Sequence, residues 1–551
     1  MKKTIFYLSV ALGISGASPL HLLCEELDPD IAALLDDTLI ELQAPVPPVR
    51  APGCFPTDVI LSFLTPPSSP EESPPMINLV AILREDIYRK TTGPVTIRSL
   101  LDLPSLTPDY FYNNYWTFTT ELFFNYTPKV YLTKDSPFLR SYLDLNNENI
   151  INEIENVEFT SVENVPDILG LFSTTKFRQY RAGFMFGFAR HWDNWTICGR
   201  IPLYYLLEHF YLTDQEIENI QKNPFFSTGA SGELGTSQSD EVMRFGLKHL
   251  VSDKFGTGDA RLSLLAHPVR QECQNLWFGL QVTIPTAKAF KRGLIGGEFS
   301  PDMPIPPLNL QHFFNVFFCN NAIPELNNAV IKKESTEFAI DVLDRLSTIL
   351  INSPMGNGKH FGLGPEIDWR YQVNDYLSMH GYTSIQVYIP HRESRFFLIK
   401  KTESDFDRNW RDPALAGENL ALLNQLIVET LFPVGIRTTV TPGVRFQMNY
   451  QLLYKSEHWD LSGGFDYWIQ GHDYIQPLLP IVPFHLHLVR SKAARPAAHQ
   501  GKVFASVGYY DSIVRSGCIT DWYVCANMDA TVFNKGIGQT YTVGLRVGIE
   551  F

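Results

Sequence analysis

Residues 541–551 read Tyr-Thr-Val-Gly-Leu-Arg-Val-Gly-Ile-Glu-Phe. Tyr541, Val543, Leu545, Val547, Ile549 and Phe551 are apolar or aromatic, and the positions between them are polar or glycine. A strand sends successive side chains to opposite faces, so one face here is apolar enough for lipid while the other carries Arg546 and Glu550. Transmembrane β-barrels need this pattern in segments of roughly 10 residues. An amphipathic strand of a soluble sandwich alternates too, so the reading depends on how often the pattern returns.

The stretch also ends on an aromatic residue. It resembles the C-terminal signal of Gram-negative outer-membrane proteins, in which an alternating last strand with a terminal Phe is read by the assembly machinery. That resemblance implies Tyr541, Val543, Leu545, Val547, Ile549 and Phe551 as the assembly signal, with that machinery and outer-membrane lipid as partners. The other end of the chain agrees. Lys2 and Lys3 precede an apolar run from Thr4 to Ile14, and Ser15-Gly16-Ala17 supplies small residues for cleavage, so 1–17 reads as a signal peptide. The rival, a lipoprotein cut before Cys24, meets a bulky Leu23 where a small residue is needed.

Residues 18–110 do not alternate. Asp28-Pro29-Asp30 opens a short amphipathic helix, and proline then dominates from Ala44 to Pro48 and from Thr65 to Pro75. The segment reads as a periplasmic extension, a linker by composition, with a plug or an oligomerisation arm as its functional alternatives; self-association into a homo-oligomer is left open. Residues 111–551 read as the barrel.

Alternation returns at 112–124, 178–190, 194–206, 241–251, 259–267, 276–285, 360–373, 376–389, 442–455, 459–470, 503–510 and 522–532, besides the final strand. Single-chain bacterial barrels have even strand numbers, and a further strand near Lys129 to Leu143 repairs the parity. The expectation is an all-β, antiparallel up-and-down transmembrane barrel of about 14 strands, with 12 or 16 as alternatives. Long connections fall on the outer side and tight turns on the periplasmic side. Helices are expected in the connections, after Thr213, over 337–351 and after Asp412. Tyr112, Trp116, Trp192, Trp195, Trp369, Trp459 and Trp522 gather toward strand ends, as the aromatic girdles of a barrel do.

Charge and cysteine content exclude several functions. A formal net charge of −14 argues against nucleic acid as a partner. The seven cysteines contain no CxxC pair and suggest no zinc site; Cys518 and Cys525 are a candidate disulfide. His485 and His487 share a face of an expected strand but lack a nearby third ligand, so neither metal nor cofactor is expected. Elbow, zincin and phosphate-loop motifs are missing, and Gly356-Asn357-Gly358-Lys359-His360 has the wrong spacing for the last.

A second resemblance lies in Gly256 to Leu262 and Leu276 to Thr286, which look like paired strands of outer-membrane channels for aromatic compounds and fatty acids. It implies hydrophobic cargo, although Ala287 replaces the glycine of that pattern. The leading expectation is a porin-like channel for passive diffusion of small solutes. A structural barrel displaying its loops is the alternative, and a hydrophobic-uptake channel or a barrel hydrolase ranks below both. Taking apolar sets as lipid-facing, the lumen-lining residues are Arg181, Arg200, Arg244, Lys248 and Arg261 on early strands, without an acid among them. Glu366, Asp368, Arg370, Arg445, Asp466 and Arg546 follow on later strands. Inward glycines, among them Gly183, Gly187, Gly544 and Gly548, favour an open lumen.

Overall fold

The computed structural model describes residues 97–106, 116–131, 175–211, 251–271, 273–293, 353–401, 433–476, 488–515 and 518–550, with short stretches such as 403–407 and scattered single positions. The signal peptide, Arg244, Lys248, Gly246, His485, His487, Phe551, the strand at 241–250 and most of the expected helices lie outside these residues.

Seventeen strands are present among the described residues. The first seven are β1 (Trp116–Lys129), β2 (Lys176–His191), β3 (Trp195–Tyr211), β4 (Val251–Thr257), β5 (Ala260–Arg270), β6 (Gln274–Ile284) and β7 (Lys288–Gly293). Next come β8 (Gly362–Gln372), β9 (Leu377–Tyr388), β10 (His391–Phe397), β11 (Val434–Thr441), β12 (Arg445–Lys455), β13 (Trp459–Gln470) and β14 (Tyr474–Gln476). The last are β15 (Ala498–Arg515), β16 (Cys518–Lys535) and β17 (Gln539–Glu550). Twelve of them close a ring in the order β1-β2-β3-β5-β6-β8-β9-β12-β13-β15-β16-β17. The ring is sealed by β17 pairing with β1, from Thr117↔Glu550 to Tyr126↔Tyr541.

The ring count is therefore 12 rather than about 14, and no strand hidden near Lys129–Leu143 is needed. Lys129 ends β1, and Phe138 makes only an isolated bridge to Lys176. Twelve is one of the two alternatives to 14, and the other strand in excess is the one expected at 241–251, of which only Val251 is described, as the start of β4; β4 and β7 continue β5 and β6 past interruptions at 258–259 and 285–287. β3 pairs with β5 over Trp195 to Arg200 and changes to β4 over Leu203 to His209.

Side-chain burial follows the period-two pattern. In β17, Tyr541, Val543, Leu545, Val547 and Ile549 are exposed, while Thr542, Arg546 and Glu550 are buried. Leu122, Phe124, Phe278, Leu280 and Leu452 on other ring strands are exposed in the same outward sense. A closed ring leaves no unpaired edge, and its apolar outer band meets the two demands of a hydrocarbon layer. The chain folds as a closed antiparallel β-barrel with the apolar outer band of a membrane-spanning one.

Tight connections between β2 and β3, β5 and β6, β8 and β9, β12 and β13, and β15 and β16 share one rim with the end of β17. The long connections occupy the other rim, together with the short turn at 536–538 between β16 and β17. There β10, β11 and β14 form a separate small sheet, packed through Phe397, Val440 and Ile475 onto Ala493 of the short helix α1 (Arg490–Ala493). Arg395 binds Glu393 and, at 2.7 Å, Asp473. Burial pushes the Glu393 carboxyl up, but Arg395 prevails and holds it at about 2.

The Cys518 and Cys525 disulfide is excluded. Both residues lie on β16, so their Cα atoms are about 23 Å apart at about 3.3 Å per residue, where a bridge needs less than about 7 Å. Cys525 carries a free thiol.

Candidate functional site

The lumen is not empty. Residues 97–106, Ile-Arg-Ser-Leu-Leu-Asp-Leu-Pro-Ser-Leu, run inside the barrel as two 3-10 turns, Leu100–Asp102 and Pro104–Leu106. Ser99 caps the first by accepting from the Leu101 amide at 3.3 Å, and Pro104 opens the second with a preset φ. These ten residues belong to the extension that composition reads as a linker, with a plug among its alternatives. The composition of the surrounding proline-rich chain hid four leucines at 100, 101, 103 and 106, which are at most 3% exposed. They pack with inward Phe123, Met185, Tyr204 and Leu206 and with Met355, which reaches in from the connection before β8.

Polar contacts hold the same segment from around the ring. Arg98 pairs with Asp466 at 2.6 Å and donates to Gln500 at 3.3 Å, with its guanidinium over the Trp468 ring. Asp102 is gripped by Arg261 and, at 2.6 Å, by Arg445. Ser105 donates to Asp529 at 2.5 Å. Backbone carbonyls accept the remaining arginines: Arg98 O from Arg181 (2.8 Å), Leu101 O from Arg261 (2.8 Å), Ser105 O from Arg546 (2.9 Å) and Leu106 O from Arg200 (3.1 Å). Gln447 donates to Asp102 O at 2.8 Å. Carbonyls of a non-regular segment would otherwise be buried unsatisfied.

Five of the sequence-derived lumen residues thus meet at this plug: Arg181, Arg200, Arg261, Arg445 and Arg546. Asp466 joins them through Arg98. Glu366 and Asp368 lie apart, toward the tight-turn rim. Glu366 accepts from Gln281 at 3.0 Å and Tyr382 at 3.1 Å. Asp368 binds His380 Nε2 at 2.6 Å, whose Nδ1 meets Gln451 at 3.0 Å. Among the described residues Arg370 reaches Ser378, at 3.4 Å. A cavity with about 40 Å³ for the centres of water-sized molecules opens between Pro104 of the plug and Glu366, His380 and Gln451. That is room for a few waters.

Sequence reading missed Arg98, Asp102, Glu121, Asn125, Lys502 and Asp529. Glu121 pairs with Arg546 at 3.0 Å and Lys502 with Asp529 at 2.5 Å, all four buried. Glu121 and Glu208 are inward acids on early strands, which corrects the expectation of a purely basic early wall; the period-two rule that found Arg181 also finds them. The glycine argument for an open lumen fails as well. A Cβ at Gly548 would strike the Tyr523 ring, and one at Gly544 would strike Asn527 and Glu121. These glycines make room for neighbouring side chains.

No protein-family model matches the chain, and no curated protein matches it in sequence. Among solved structures, it is similar to an outer membrane channel from Pseudomonas putida F1, at 7% identity and TM-score 0.37, covering 80% of this chain and 96% of that one. The Pseudomonas putida toluene transporter TodX matches at 7% identity and TM-score 0.25, with 85% and 97% covered. A Pseudomonas aeruginosa FadL homologue matches at 8% identity and TM-score 0.24, with 85% and 99% covered. At such scores these likenesses add nothing to the strand ladders above.

Proposed function

We propose that the protein is an outer-membrane channel for small polar solutes, closed by its own residues 97–106. The observation that carries this reading is the way the plug is held. Side chains from β2, β3, β5, β12, β13, β15, β16 and β17 bind it by ion pairs and hydrogen bonds. Water can replace such contacts when a segment leaves, whereas a permanently filled barrel needs only apolar packing. The polar lining also disfavours apolar cargo, because buried guanidinium groups would face it unpaired. Catalysis is not proposed: both ring nitrogens of His380, in the one Asp-His pair at the cavity, are engaged by Asp368 and Gln451.

A second reading, a closed barrel that serves as an anchor for its loops, is favoured by the buried leucines of the plug. Single-channel recording in planar bilayers separates the two. The full chain should stay closed for most of the record. Asp102→Asn leaves Arg261 and Arg445 without their carboxylate, and losing one partner of a buried pair weakens the closed state by roughly 3–5 kcal/mol. It should open often, and a variant lacking 97–106 should conduct continuously. If the shortened barrel folds, judged by heat-modifiable migration, and still passes no current, the channel reading is wrong and the anchor reading stands.

A further inference from the structure

Residues 84–116 touch the two rims of the barrel at opposite ends of their length. Arg84 lies over the Phe406 ring and 3.8 Å from Asp407, both in the connection between β9 and β12 on the long-loop side. The Thr91 amide donates to Lys492 O at 3.0 Å and its hydroxyl to Phe396 O at 2.5 Å, again on that side. Arg98 O is then met by Arg181, which pairs across the sheet with Asn125. Leu106 O is met by Arg200, level with Gly187 and so nearer the tight turns. Trp116 finally pairs with Arg190 at the tight-turn rim.

Five successive anchor points therefore run through the lumen in one direction. Distance agrees: Arg181 and Gly187 are six residues apart on β2, about 20 Å at about 3.3 Å per residue. Eight residues from Arg98 to Leu106 reach at most about 28 Å when extended.

We propose that the chain is threaded through its own barrel, so that what precedes Arg84 starts from the long-loop face, the outer surface of the membrane in barrels of this kind. The periplasmic placement expected for the extension is thereby reversed. The ladder between β1 and β17 closes around this segment, so the segment enters the lumen before or as the ring is sealed. None of this depends on whether the barrel conducts.

The test uses the full chain with Arg89→Cys, an exposed position, and a membrane-impermeant maleimide on intact cells, with labelled peptides mapped by mass. Cys273, exposed in the tight turn between β5 and β6, is the built-in control for the opposite face. Position 89 should label on intact cells, and Cys273 only after the outer membrane is permeabilised, with at least about tenfold contrast between them. Labelling of position 89 only together with Cys273 overturns the proposal. Should position 89 resist the reagent in both states, tryptic cleavage after Arg84 decides. Cleavage by enzyme added outside supports threading, and cleavage only by enzyme admitted to the periplasm overturns it.

Discussion

Asp102 is the single acid of the plug, and three guanidinium groups surround it: Arg261, Arg445 and, through burial in the same cluster, Arg98. Losing one partner of a buried ion pair costs roughly 3–5 kcal/mol, so Arg445→Gln should raise the open probability in single-channel records as Asp102→Asn does, and the double variant should exceed the stronger single by little; full additivity of the two would remove Asp102 as the latch. The partners explain why this role was not legible beforehand. Arg261 and Arg445 stand 159 and 343 positions away in the chain, and no local period connects a plug residue to a wall residue. What period two does fix is the face, which is why Arg181, Arg200, Arg261, Arg445 and Arg546 could be assigned inward from sequence.

Strands obey the same logic with different success. β17 was legible from Tyr541 onward because its odd positions from there are apolar, and Leu545 now sits between Leu122 of β1 and Ala526 of β16 on the lipid face. Leu545→Asp places a carboxylate in the hydrocarbon layer at the seam that closes the ring; lipid-face charges cost up to about 2–4 kcal/mol for Arg or Lys and less for Asp. The expected result is loss of the heat-modifiable folded band, whereas the same substitution at exposed Asn374, in the tight turn before β9, should be silent. Full recovery of the folded band with Asp at 545 would show that the seam tolerates charge and that the last strand is not decisive. Elements outside the ring were much less legible. β14 is three residues long, too short for any period, and β4 is set off from β5 by an interruption at Gly258-Asp259 that looks like a turn between two strands. The plug turns bury four leucines with a spacing that is neither helical nor alternating, so composition pointed to a linker.

Charge across the whole barrel depends on the ring having closed, since β1 and β17 are neighbours in space though they stand at opposite ends of the barrel sequence. An acid on the first strand, Glu121, thus neutralises Arg546 on the last, and Asp529 neutralises Lys502. Arg181 is held only by neutral acceptors, Asn125 Oδ1 and Arg98 O, and Arg200 by Leu106 O. Withdrawal of the plug removes Asp102 from Arg261 and Arg445 and frees Asp466 from Arg98. Arg181, Arg200, Arg261 and Arg445 then face the lumen together with the inward acids Asp466, Glu366, Asp368 and Glu208, so bases and acids mix at mid-height. Rings of fixed charge set ion preference, and at 0.15 M salt the screening length is about 8 Å, short enough that the preference should weaken as salt rises. In a potassium chloride gradient, replacing Arg181, Arg200 and Arg261 together with Ser in the barrel lacking 97–106 should carry the reversal potential toward the cation side while current persists. An unchanged potential at intact conductance would mean that charges elsewhere in the lumen, and not these three arginines, govern which ions pass.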